Sequence, residues 1–397
     1  MDFCFHFVNE SVIIYVYGCV PFKLTFRRIT MKKLLSALLV VAMLLMGAAA
    51  FAEDTFEIAL VTDVGNIDDQ SFNQSAWEGV VEFAEANGYT KAYYRPSEDS
   101  TTARMESIKT AVEKGAKVIV CPGYLFEEAI YNVQDEYPEV NFLLLDGEPH
   151  NADYSDYKTG SNVHNILYQE EQAGYLAGYA AVKDGYTKLG FLGGMAVPAV
   201  IRYGYGFVQG ADAAAKELGI EVEMNYAYGG QFNGDADITA AMDTWYQGGT
   251  EVVFACGGGI YTSAAEAAQK VNAKVIGVDV DQKGIIDGLY GEGMTVTSAM
   301  KGLYPATYDT LKDVVLNGNW ENYAGKIATL GLVSGEDPTA NYVQIPFEST
   351  QWSDKFTQDD YKALVAKMFD GTIKVDNGIG AMPAVTNVKV NDQGNLK

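Results

Sequence analysis

The sequence predicts an α/β protein of two similar lobes, each a parallel sheet with helices on both faces. Three observations carry this. Short apolar runs alternate with segments of helical spacing along the chain after residue 55. The alternation runs through one set of strand–helix units and then repeats in a second set of similar length. No low-complexity or Pro/Ser-rich linker separates the sets, so several direct chain crossings join the lobes as a hinge.

Taken in order, FEIALV (56–61) is apolar, with acid on one side and TDVG on the other, and reads as a strand. Phe72, Ala76, Val80, Phe83 and Ala84 then recur at helical spacing over 72–87. KAYYR (91–95), a helix at 101–114, KVIVC (117–121), a helix at 124–136 and VNFLLLD (140–146) complete the first set. The second runs through a helix at 169–183, KLGFLGG (188–194), a helix at 199–218, EVEMNYAY (221–228), a helix at 233–247, EVVFACGGG (251–259), a helix at 260–272 and KVIGVDVD (274–281). Cys121 and Cys256 occupy matching strand ends before Gly-rich turns, which puts them in separate lobes as small core residues rather than as a bridge. MTVTSAMKG (294–302), a helix to about 317, AGKIATLGL, NYVQIPF and a last helix near 357–369 read as the chain passing back between lobes. The expected lobes are 55–165 plus about 298–325, and 166–297 plus about 326–397.

The first residues read differently. Lys32 and Lys33 precede an apolar run from Leu34 to Met46, and Ala50-Phe51-Ala52 is an A-x-A cleavage signal before Glu53. Residues 31–52 are therefore expected to be a cleaved export signal, and 1–30 an over-called start outside the fold. The expected location is extracytoplasmic.

Composition excludes several function classes. Lys and Arg total 28 against 52 Asp and Glu, for a net charge of −24, which repels phosphate backbones and argues against nucleic-acid partners. The three histidines, His6, His150 and His164, form no HExxH, and the four cysteines form no CxxC. His150 and His164 read as surface or crossing residues without a nucleophile beside them. Neither GxxxxGK[ST] nor GxSxG occurs. GYGFVQG (204–210) is one residue too long for GxGxxG and falls inside a predicted helix, so helix packing is its reading. Asp68 and Asp69 sit where a helix N-terminus favours carboxylates.

Ligands of open α/β sheets bind beyond the carboxyl ends of the strands. The segments found there hold acids, amides, glycines and aromatics: TDVGNIDDQSFNQ, PGYLFEE, Asp146-Gly147-Glu148, GGMAVP, GGQFNGD, CGGG and Asp279-Val280-Asp281-Gln282. Such groups suit a neutral ligand with hydroxyl or N–H groups and a flat ring. Taken alone, Phe72 also reads as the first core position of its helix, Asp146 and Asp279 as turn caps, and Lys301 as a surface residue. Trp77 reads as core.

Four segments in order, DVGNIDDQSFNQSAWEG (63–79), LLLDGE (143–148), GVDVDQ (277–282) and TSAMKG (297–302), give the chain a marked resemblance to a known family. It resembles the basic membrane protein family of ABC-transporter substrate-binding proteins, nearest the purine nucleoside receptor type, over essentially the whole chain after residue 52. The resemblance implies a type I periplasmic-binding-protein fold of two Rossmann-like lobes, without enzymatic activity, cofactor or metal. It implies a purine nucleoside (adenosine, guanosine or inosine) between the lobes and an ABC permease as partner. Carried over by motif, Phe72 and Phe232 would clasp the base, with Tyr228 competing for the second position. Asn73 and Asp146 would bond the base edge, Asp279 and Lys301 the ribose hydroxyls, and Asp63 would line the rim of the first lobe. Members are usually lipoproteins with a cysteine just after the cleavage site, whereas Ala50-Phe51-Ala52-Glu53 has none nearby, so no N-terminal lipid anchor is expected. A sugar-binding protein of the same architecture and a nucleoside hydrolase are the alternatives.

Overall fold

The computed structural model describes residues 57–396 together with three short strands near the N-terminus, β1 (Cys4–Val8), β2 (Ser11–Tyr15) and β3 (Phe22–Lys23). These three pair antiparallel within a separate unit, Met1–Asp54. The export signal expected over 31–52 lies outside the described residues.

The main unit holds two sheets. The first contains β4 (Ile58–Val61), β5 (Lys91–Tyr94), β6 (Val118–Pro122), β7 (Asn141–Leu145), β8 (Val163–Tyr168) and β14 (Lys326–Leu330), in the order β14-β8-β7-β6-β4-β5. The second contains β9 (Lys188–Gly193), β10 (Val222–Tyr228), β11 (Val252–Cys256), β12 (Lys274–Asp279), β13 (Thr295–Lys301), β15 (Val343–Gln344) and β16 (Val388–Asn395), in the order β15-β13-β12-β11-β9-β10-β16. Five strands follow one order in both lobes, β8-β7-β6-β4-β5 and β13-β12-β11-β9-β10, so β7 of the first corresponds to β12 of the second. All pairings are parallel except β13 with the short β15. The central strands IALV and VVFAC are buried throughout, as expected for strands covered by helices on both faces.

The sequence reading missed β8 and β16, and read AGKIATLGL, which holds β14, only as a crossing between lobes. VHNILY in β8 carries His164 and Asn165, and its strand form comes from pairing with β7 and β14. His164 is therefore buried in a strand rather than lying at the surface, and its Nδ1 donates to the Lys326 carbonyl at 2.9 Å. His150 is also buried, between the Asn151 carbonyl and Glu127.

Three crossings connect the lobes. The chain leaves β8 at Gln169 for helix α4 (Glu170–Asp184), leaves β13 at Gly302 for α9 (Leu303–Leu311), and returns from β14 toward β15. Hydrogen bonds bind them into one hinge: Gln169 N to Leu330 O at 2.8 Å and Gly302 N to Tyr342 O at 2.7 Å between crossings, and Tyr342 N to Gly331 O at 3.2 Å within the third. The expected division gave 298–325 to the first lobe and 326–397 to the second. By sheet membership all of Thr295–Lys301 lies in the second lobe and Lys326–Leu330 in the first.

GYGFVQG lies within α5 (Pro198–Leu218), which packs on α4 with their backbones in close approach. A Cβ on Gly174 would fall 2.1 Å from the Tyr203 carbonyl oxygen, and one on Gly206 would fall 2.1 Å from that of Glu171. Only glycine permits this reciprocal contact. Cys121 and Cys256 are free, buried and in separate sheets.

Candidate functional site

Strand ends from both lobes converge on one cavity lined by residues of both sheets' loops. Asp63, Phe72, Asn73, Asp146, Phe232, Asp279 and Lys301 all line it.

The loop after β4 builds one end. Asp63 Oδ1 accepts from Gly65 N at 2.7 Å and Asn73 Nδ2 at 2.8 Å. Asn73 Oδ1 in turn accepts from Asp63 N at 3.2 Å, and its Nδ2 also donates to Asp69 Oδ2 at 3.0 Å. Both Asn73 donors are thus committed inside the loop, and the residue is 2% exposed. Asp69 accepts from the backbone N–H groups of Ser71, Asn73 and Gln74, so it secures the start of α1 (Phe72–Asn87). Asp68 is exposed. Asp63 Oδ2 lies against Gly123, with the Phe72 ring beside it. Burial pushes the Asp63 carboxyl up to about 6, and the bonds from Gly65 and Asn73 oppose it.

Phe72 approaches from the first lobe and Phe232 from the second. Phe232 rests on glycines: a Cβ on Gly194 would fall 2.5 Å from its Cδ1, and one on Gly257 would fall 3.0 Å away. Tyr228, the competing aromatic, is a core residue whose hydroxyl bonds Tyr226 at 2.9 Å. Trp77 is partly buried and meets Tyr93 edge-on at 5.5 Å.

The other end is a buried charge cluster. Lys301 Nζ bonds Asp146 Oδ2, lies 3.3 Å from Glu170 Oε1 and 3.9 Å from Asp279 Oδ1, and is 4.9 Å from the centre of the Phe72 ring. Glu170 also takes Arg202 Nε at 2.6 Å, and Asp279 takes Ser71 Oγ at 2.6 Å. Asp146, expected with Asn73 at the base edge, is joined to Lys301. Lys301, which could have been a surface residue, is 4% exposed. Asp146 and Asp279 stand at equivalent places in the two sheets, both in the left-handed backbone region at φ 60° and 65°. Strain of this kind collects at functional sites.

Three carboxylates face two cations here. Burial raises Asp146, Lys301 opposes it, and Glu170 adds to the rise, leaving the carboxyl at about 7. Burial also raises Asp279, against Lys301 and Ser71. Glu170 is held below its ordinary value: burial works against its charge, but Lys301 and Arg202 outweigh it. The three acids hold Lys301 above its ordinary value despite burial. Asp146 Oδ1 and the Tyr203 hydroxyl are buried without a hydrogen-bond partner. Tyr203, which lines the cavity, and Glu170 and Arg202, which complete the charge cluster, were not anticipated. Their positions lie inside helical patterns, where nothing in a single sequence separates a site residue from a core face.

Comparison with known proteins places the chain among binding proteins. Residues 56–367 match the Bmp family, described as ABC transporter substrate-binding protein PnrA-like, and the chain belongs to that family. It is 30% identical to the ABC transporter nucleoside-binding protein BmpA of Lactococcus lactis subsp. cremoris over 60% of this chain and 67% of that one. It is 29% identical to basic membrane protein B of Borreliella afzelii over 70% of this chain and 79% of that one. A solute-binding protein of an ABC transporter system from Aeropyrum pernix superposes with a TM-score of 0.62 at 22% identity, covering 81% of this chain and 88% of that one. The two-lobe solute-binding fold is thereby shared. Among the described residues no helix is long and apolar enough to cross a membrane.

Proposed function

We propose that this substrate-binding protein captures a purine nucleoside outside the cytoplasm and delivers it unchanged to an ABC permease. The observation that carries the reading is one cavity with an aromatic ring from each lobe and a buried polar cluster at one end. The base lies between Phe72 and Phe232, with its edge toward Asp63. Asn73 acts by holding Asp63 in place. The ribose hydroxyls meet Asp146, Asp279 and Lys301. The Lactococcus relative is a nucleoside-binding protein by name, which supports the same ligand class.

The Ser71–Asp279 bond and the bond from Gln282 Nε2 to Gln70 O at 3.1 Å span the cleft. Ligand contacting both lobes therefore favours the closed state. Titration calorimetry with adenosine, guanosine and inosine is the test. Micromolar or tighter binding to at least one is expected, and no binding to any of them overturns the reading. A free sugar is the second reading, because the charged end alone suits vicinal hydroxyls. Displacement by ribose but not by nucleosides would favour it. Incubation with inosine is expected to release no free base.

A further inference from the structure

Tyr203 lies early in α5 and lines the cavity, yet its hydroxyl has no hydrogen-bond partner. Its ring is 1% exposed, meets Phe254 edge-on at 5.9 Å, and lies 5.5 Å from Lys301 Nζ. Asp279, Glu170 and Asp146 are its charged neighbours. A buried hydroxyl left unpaired is unfavourable, and nearly all such groups find partners. Asp146 Oδ1, in the same cluster, is unpaired too. They are an unused donor and an unused acceptor in one buried cluster at the end of the cavity. A ligand hydroxyl satisfies both by donating to the carboxylate and accepting from the phenol.

Tyr203 cannot relax away from this position. Its carbonyl oxygen sits where a Cβ on Gly174 would fall, 2.1 Å off, so the backbones of α4 and α5 hold it in place. Its ring is enclosed by Phe254 and the charge cluster. A rigid, desolvated hydroxyl discriminates well, because a ligand lacking the matching group leaves it unpaired.

We infer that Tyr203 makes the site selective for ribonucleosides over deoxynucleosides by bonding a 2′- or 3′-hydroxyl of the ligand sugar. This rests on the nucleoside reading above. The test is calorimetry of the full-length protein and its Tyr203→Phe variant against inosine, 2′-deoxyinosine and 3′-deoxyinosine, with circular dichroism to show that the variant folds. The wild type should bind inosine about tenfold or more tightly than one of the deoxy analogues. Tyr203→Phe should lose about that factor for inosine and little for that analogue, so the discrimination collapses. If the variant weakens all three ligands by one factor, or none, Tyr203 is only a packing residue and the inference falls. If the wild type binds no nucleoside at all, the nucleoside reading itself fails, and this inference with it.

Discussion

Asp63 shows how one side chain can be both built in and left available. Its Oδ1 is used by the loop, while Oδ2 lies beside the Phe72 ring. An ionised carboxylate there accepts a charge-assisted bond from the N–H edge of a hypoxanthine or guanine base, whereas a protonated one accepts only weakly and turns one oxygen into a donor. With the carboxyl near 6, inosine affinity should fall as the pH drops from 7.5 to 5, and Asp63→Asn should flatten that dependence in pH-resolved calorimetry. The sign for stability is the opposite. A carboxyl raised from 3.8 in the folded state costs stability above its folded value and none below the unfolded one. Ligand-free wild type should therefore gain stability relative to Asp63→Asn as the pH falls from about 7 toward 4, measurable by urea unfolding. Phe72→Ala removes a stacking surface worth about 1–3 kcal/mol, so nucleoside affinity should drop about tenfold or more in calorimetry. An unchanged affinity would remove Phe72 from the site.

At the scale of elements, the contact between α4 and α5 connects packing to the site. Glu170 opens α4, and Arg202 and Tyr203 stand on α5, so the helix pair positions two members of the charge cluster and the tyrosine beside it. Glycines at 174, 178, 206 and 210 let the two backbones touch; a Cβ on Gly178 would fall 2.2 Å from the Phe207 carbonyl oxygen. Backbone cannot yield as a flexible side chain does. Gly178→Ala should therefore destabilise the protein by about 1–3 kcal/mol or more in urea unfolding. A neutral result would mean that the helices separate without consequence for the core.

For the whole molecule, the proposed function requires the two lobes to close about their three crossings. Ser71 donates across the cleft to a buried carboxylate, a charge-assisted bond. Ser71→Ala should weaken nucleoside affinity about tenfold, chiefly through faster dissociation in stopped-flow measurements. Small-angle scattering should show a smaller radius of gyration with nucleoside than without. Equal radii would mean that ligand does not select the closed state.

The chain's own pattern was enough to determine the doubled α/β architecture, because continuous apolar strands and 3.6-residue helical spacing are local signals. DVGNIDDQSFNQ and GVDVDQ could also be placed at strand ends from sequence, since strand ends are readable where apolar runs stop. Only the tertiary structure made strands of VHNILY and the segment at 388–395, whose partners lie far away in the chain. Tertiary packing also decided that Asp146 pairs with Lys301, 155 residues on, that Asn73 braces a loop, and that Tyr203 faces a cavity. Those facts depend on which buried groups meet and which stay unpaired, and burial is a property of the packed whole rather than of any stretch of sequence.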